Sequence, residues 1–146
     1  MLCIHSPDGK RFWIAPGGGL EESESPEVGL RRELREELGL DAFEIGPVVW
    51  RREHTFDRGE RRACQREHYH VVHVLRFEPL MSDAVEAEWL EGFRWWTLRE
   101  LRTAAEDLVP VSPAEIIENY LANGGPATLP EWEVLVDQLR LANPHR

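Results

Sequence analysis

The chain has 146 residues, 42% of them hydrophobic and 30% charged, with a formal net charge of −10. That length suits one domain of about 100–200 residues with its own core, and the composition excludes disordered, collagen-like and low-complexity chains. So acidic a surface excludes tracking along a nucleic-acid polymer by phosphate neutralisation, and no apolar run approaches the ~18 residues of a membrane-spanning helix.

The opening MLCIHSPDGK lacks the basic start, apolar middle and small-residue cleavage site of a secretory signal. Cys3 and Cys64 are the only cysteines, too few for a disulfide framework or a thiolate zinc site. The expectation is a reduced, cytoplasmic single domain over residues 1–146, with both thiols buried. Residues 2–6 and 11–15 read as short strands joined by the turn Pro7–Lys10, and Pro16-Gly17-Gly18-Gly19 is a tightly turning loop. From Ser25 the signals become helical, with Ser25 suited to the N-cap, Pro26 to the first position and Gly39 to the stop. Residues 45–52 and 69–77 read as strands, with a hairpin turn at Asp57-Arg58-Gly59-Glu60 between them. Residues 93–96 (FRWW) read as a further strand running into a helix at 98–105. The C-terminal region over about 111–142 reads as two helices, begun by the capping-box spacings Ser112-Pro113-Ala114-Glu115 and Thr128-Leu129-Pro130-Glu131. No repeat, long linker or composition break divides the chain.

The chemistry concentrates between Gly18 and Leu40. Glu33, Glu36 and Glu37 stand at offsets of three and four on the predicted helix and share one arc of its surface, with Gly29 inside that arc. Leu30, Leu34 and Leu38 form a neighbouring apolar stripe, while Arg31 and Arg35 point away from both. Like charges at these spacings cost roughly 0.2–0.5 kcal/mol per pair on an exposed helix. A hard divalent cation, Mg²⁺ or Mn²⁺, reverses that sign, because both favour carboxylate, carbonyl and water oxygens. Gly29 is expected to leave room for ions and their waters, and Glu24 and the carbonyls of the Gly17–Gly19 loop to add oxygen ligands. An all-oxygen cluster points to phosphate chemistry rather than redox chemistry.

The same segment resembles, position by position, the 23-residue signature GX5EX7REUXEEXGU of the Nudix (MutT-like) hydrolase family, U being aliphatic. Gly18, Glu24, Arg32, Glu33, Glu36, Glu37 and Gly39 fill the fixed positions, and Leu34 and Leu40 the aliphatic ones. The resemblance implies an α/β (α+β) fold, an α/β/α sandwich with a mixed curved sheet, over about residues 1–105. It implies an enzyme that hydrolyses a pyrophosphate bond in a nucleoside diphosphate linked to another group, with Mg²⁺ or Mn²⁺. Carried onto this chain, Glu33, Glu36 and Glu37 would be the metal-ligand carboxylates, with a carbonyl of Gly17 or Gly18 completing the inner shell. Arg32 would orient the acidic cluster, and Glu24 would pack near the site. The metals would activate a water for in-line attack on phosphorus, and Glu33 or Glu36, or Glu86 or Glu88 from a later loop, would take its proton. A catalytically silent nucleotide-binding or sensor domain of the same fold is the alternative. The family's sheet normally has a strand before residues 2–6, so a shortened N-terminus is expected. The helices past residue 110 would cap the core, shape the pocket or form a homodimer contact. A small nucleotide derivative is the expected partner, and neither nucleic-acid polymer nor membrane is expected.

Other features carry structural readings. Trp13, Trp50, Trp95 and Trp96 fall on predicted strands and suit a core, although Trp13 and Phe56 are the better nucleobase candidates. His68 and His70 share a strand face that excludes His73, which favours strand pairing over a metal site. The arginines at 51, 52, 58, 61, 62 and 66 make a locally basic hairpin that either is solvated or holds substrate phosphates. The markers of the ADP-ribose, dinucleoside polyphosphate, NADH and coenzyme A branches are absent, which leaves a nucleoside triphosphate pyrophosphatase by elimination.

Overall fold

The computed structural model describes residues 1–5, 9–80 and 90–137. Ten elements follow in chain order: β1 (Leu2–His5), β2 (Arg11–Ile14), α1 (Pro26–Leu38), β3 (Glu44–Arg58), β4 (Arg61–His73), β5 (Leu90–Phe93), α2 (Leu98–Thr103), β6 (Asp107–Val109), α3 (Pro113–Asn123) and β7 (Trp132–Val136). They form a mixed α+β structure with two sheets, one ordered β5-β1-β2-β6 and the other β4-β3-β7. In the first, β1 is antiparallel to β2 and β5, while β2 runs parallel to β6. In the second, β3 is antiparallel to β4 and parallel to β7.

Helix α1 packs through the expected stripe. Leu34 and Leu38 are 5% and 3% exposed and join Leu40 in a core that Ile14, Leu30, Phe43, Val72, Phe77 and Phe93 surround. The caps are those the sequence foretells. The Ser25 hydroxyl accepts from the Val28 N–H at 3.3 Å, and the Gly39 N–H bonds the Arg35 carbonyl at 2.9 Å. The second helix, α2, has a full capping box in which Thr97 and Glu100 exchange bonds. At α3 the Ser112 side chain makes no cap bond, so the expected box there does not form.

The strands differ from expectation in length. β3 and β4 form one long hairpin turning at Gly59-Glu60, well beyond the apolar segments 45–52 and 69–77. About half of the added residues are charged, and they hold strand conformation by pairing across the ladder. Arg52 meets Glu67 at 3.2 Å and Arg66 meets Glu53 at 2.7 Å. At FRWW only Phe93 is in strand β5, and the Trp95 indole N–H instead bonds the Phe77 carbonyl at 3.1 Å. Cys64 is exposed on β4, not buried.

Among the described residues the second C-terminal helix expected within about 111–142 is absent, and residues 132–136 form β7 instead. Trp-Glu-Val-Leu-Val favours a strand, and β3 offers it an edge. Side chains reinforce the pairing. The Arg51 guanidinium lies 4.5 Å from the Trp132 ring centroid and donates to the Pro130 carbonyl, and the Trp50 indole N–H donates to Glu133 at 2.6 Å. His54 meets Asp137 at 3.0 Å.

Replacing Trp132 with Ala removes this stack and its packing, and should cost about 2 kcal/mol in chemical denaturation. A variant as stable as the parent would show that β7 adds nothing to the fold.

Candidate active site

Helix α1 divides its carboxylates between interior and surface. Glu33 and Glu37 are 8% and 7% exposed, each one residue before a buried leucine, while the Glu36 side chain is half-exposed. Buried carboxylates need partners. The Gly17 N–H donates to Glu37 Oε2 at 3.0 Å, and Arg32 Nη1 donates to Glu33 Oε1 at 2.8 Å.

Arg32 uses all five of its N–H donors. Its Nε and Nη2 make a fork on Glu24 at 2.8 and 2.9 Å, Nη1 reaches both Glu33 and Glu36, and Nη2 also donates to the Gly19 carbonyl at 2.9 Å. A lysine could not reproduce that planar fork. The Arg32 hydrogen bonds, aided by the Glu21 N–H, lower the Glu24 carboxyl from an ordinary 4.5 to about 2, and the Arg32 pKa is raised in turn.

Two glycines make this closeness feasible. A Cβ on Gly18 would stand 2.3–2.5 Å from the Glu33 carboxylate, and one on Gly29 would stand 2.3 Å from Leu20 Cδ2 and 3.0 Å from Glu24 Oε2. The space over Gly29 therefore holds Leu20 and the Glu24 carboxylate, and not the ions and waters expected there.

The structure thus brings Gly18, Glu24, Arg32, Glu33 and Glu36 together, with Glu37 on the adjoining Gly17 amide. Among the described residues, no three His, Cys, Asp or Glu side chains are placed to hold a metal ion as they stand. The donor set is nevertheless entirely hard oxygen, and the Gly18 backbone abuts the Glu33 carboxylate where any Cβ would intrude, so the residues fit Mg²⁺ or Mn²⁺ in kind. Glu86 and Glu88, the later-loop candidates, lie outside the described residues.

The weaker candidates disperse. Trp13 packs edge-on against Trp96 at 5.3 Å, and Phe56 lies beside His54 at 5.1 Å. His70 bonds the Gly46 carbonyl, His73 meets the Tyr120 hydroxyl and His68 lies edge-on to Trp132, so the three histidines take separate structural partners. In the basic hairpin, Arg52, Arg62 and Arg66 have acidic partners within the hairpin itself. Sequence reasoning missed the Leu20 lid over Gly29 and the Gly17–Glu37 bond. The signal for the first was a glycine on a helix arc otherwise lined with charge.

An acidic helix clasped to a glycine-rich loop by one arginine, beside mixed sheets, defines a class of α+β proteins. The NUDIX domain model matches residues 1–120, and the chain belongs to the Nudix family. It is 31% identical over 113 residues to a "Nucleoside triphosphatase NudI" of Enterobacter sp. (strain 638), covering 70% of this chain and 76% of that protein. It is 30% identical over 115 residues to an "RNA pyrophosphohydrolase" of Hahella chejuensis (strain KCTC 2396), covering 65% and 70% of the two chains. To an "8-oxo-dGTP diphosphatase" of Proteus vulgaris it is 60% identical over 30 residues, or 20% of this chain and 27% of the relative. For two further relatives the chain likewise spans under a third of their length, 29% and 23%.

Two outcomes test this geometry. Gly29→Ala should displace Leu20 and cost about 1–3 kcal/mol by overpacking, read by thermal or chemical unfolding; an unchanged stability would show that the loop yields freely. The depressed Glu24 carboxyl should contribute stability in full above pH 4.5 and lose it as the pH falls towards about 2. The stability difference between the parent and Glu24→Gln should therefore shrink over that window; a pH-independent difference would contradict the clasp.

Proposed function

We propose that the chain is a divalent-metal-dependent pyrophosphohydrolase acting on a small nucleoside diphosphate derivative, in which Glu33, Glu36 and Glu37, with the carbonyl of Gly18, hold Mg²⁺ or Mn²⁺. The observation that carries this reading is the pair of buried carboxylates, Glu33 and Glu37, kept one turn apart against a glycine loop by Arg32 and the Gly17 amide. Burying two carboxylates costs stability unless they are compensated, and a buried pair is weak evidence for a stabilising role. When bound, the cation neutralises charge on the phosphoryl oxygens and lowers the pKa of a water.

The chain's own residues do the rest. Arg32 fixes Glu33 and the Gly19–Glu24 loop, so the carboxylate oxygens meet the substrate pre-oriented. Glu36, half-exposed and bonded to Arg32 at 3.2 Å, is the first candidate to accept the proton of the attacking water. Glu33 and the later-loop Glu86 are the other candidates for that proton. The water oxygen bonds to phosphorus as the bridging P–O bond breaks, and the two phosphate products leave. The names of the relatives over most of their length, a nucleoside triphosphatase and an RNA pyrophosphohydrolase, support a phosphoanhydride substrate.

The test is product release from nucleoside triphosphates and their oxidised forms, ADP-ribose, nucleotide sugars and dinucleoside polyphosphates, with Mg²⁺, Mn²⁺ or chelator. Cleavage of one class that chelator abolishes is expected, and Glu37→Gln, which keeps an acceptor for the Gly17 N–H, should lose at least about 100-fold in kcat. Equal turnover by Glu37→Gln would remove the residue from the metal site, and silence across the panel from a folded chain would overturn the enzymatic reading.

A further inference from the structure

The loop that brings Glu24 to Arg32 leaves β2 beside an apolar cavity of about 300 Å³, which Ala15 and Pro16 border together with Leu34 and Leu38. Gly17 then gives its N–H to Glu37. Farther on the chain must double back, because Glu24 Oε2 accepts from the Glu21 N–H at 2.9 Å as well as from Arg32 Nη2 at 2.9 Å. A turn over residues 21–24 makes both bonds possible, closed by the Glu24 N–H on the Glu21 carbonyl at 3.1 Å.

The third residue of that turn is Ser23, with φ 65°. Among the described residues it is the only one other than glycine in the left-handed region. A turn with positive φ at its third position favours Gly or Asn, since other side chains crowd the neighbouring backbone there. Ser23 is exposed, so its side chain gains no burial in return. The strained backbone persists because the surrounding bonds fix it. The Glu24 side chain is only 8% exposed, and both its oxygens are taken by the Arg32 fork. On its other side, Oε2 lies 3.0 Å from where a Cβ on Gly29 would stand. Such a seat leaves the turn little freedom.

We propose that Ser23 is a positioning residue, whose left-handed backbone aims Glu24 at Arg32 and, through Arg32, sets Glu33 and Glu36 for the cation. The backbone angle carries this role, and not the hydroxyl. Glycine should therefore serve at least as well, and a β-branched residue worst. Only the second half of the inference rests on the proposed metal site. The link from turn to clasp belongs to the folded chain without metal.

Two measurements on the full chain test the two halves separately. The first compares urea midpoints, without metal, of the parent, Ser23→Val, Glu24→Ala and the double variant. Ser23→Val should lower the midpoint of the parent, and lower that of Glu24→Ala at most about half as much, because the clasp is already gone. The second follows Mn²⁺ binding by electron paramagnetic resonance. Ser23→Val should bind Mn²⁺ at least about fivefold more weakly than the parent, and Ser23→Gly as tightly as the parent. If Ser23→Val does not fold, Ser23→Thr, which keeps the hydroxyl and adds the β-branch, takes its place in both. Additive midpoint losses would overturn the link from turn to clasp. Unchanged Mn²⁺ affinity in the folded β-branched variant, or a Ser23→Gly as weak as it, would overturn the positioning of the metal site. Coupled losses in a chain that binds no Mn²⁺ would uphold the turn and defeat the metal site itself.

Discussion

The Arg32 guanidinium is the constraint on which the rest of the site depends. Glu24, Glu33 and Glu36 crowd around it, and without a cation they would repel one another across the loop–helix junction. A planar fork with five donors can satisfy three carboxylates and the Gly19 carbonyl together, and so sets the direction of the loop as well as the charge balance. Once the loop is fixed, Gly18 comes against Glu33 and Leu20 closes over Gly29. Backbone approach and ion pairing are thus one arrangement, and neither glycine could carry a side chain without moving it.

The burial of those carboxylates comes from the packing of the leucines. Glu33 precedes Leu34 and Glu37 precedes Leu38, so seating the apolar stripe in the core draws both acids inward while Glu36 stays half-exposed. Acids placed this way for stability alone would be a poor choice, because apolar residues of similar size would fill the same positions at lower desolvation cost. Their presence makes sense if the oxygens have a task that leucine cannot do.

How far the sequence foretold this depended on the distance between interacting residues. Helix α1 was legible because its signals are local: Ser25 and Pro26 at the start, Gly39 at the end, leucines at helical spacing between. The charged reach of β3 and β4 was not, because Glu53 takes strand form through Arg66, and Glu67 through Arg52, which no periodicity in either segment reveals. β7 was misread for a related reason. Thr128 and Glu131 carry the spacing of a helix start, but Trp132 and Glu133 are claimed by Arg51 and Trp50, some eighty residues earlier in the chain. In the site, the identities of Arg32 and the three helix glutamates were legible, whereas the Gly17–Glu37 bond and the Leu20 contact required the loop's path in space.

That path also joins two environments of opposite character. Strand β2 ends at Ile14 among core residues, Ala15 and Pro16 pass along the apolar cavity, and Gly17 and Gly18 emerge against buried carboxylates. One short stretch of backbone borders both, anchored by the Ala15 N–H on the Val109 carbonyl and the Gly17 N–H on Glu37. Because four consecutive residues border both, a shift in that segment moves the cavity wall and the carboxylates together. The cavity wall and the carboxylates are for that reason held by the segment that follows β2, and not by α1 alone.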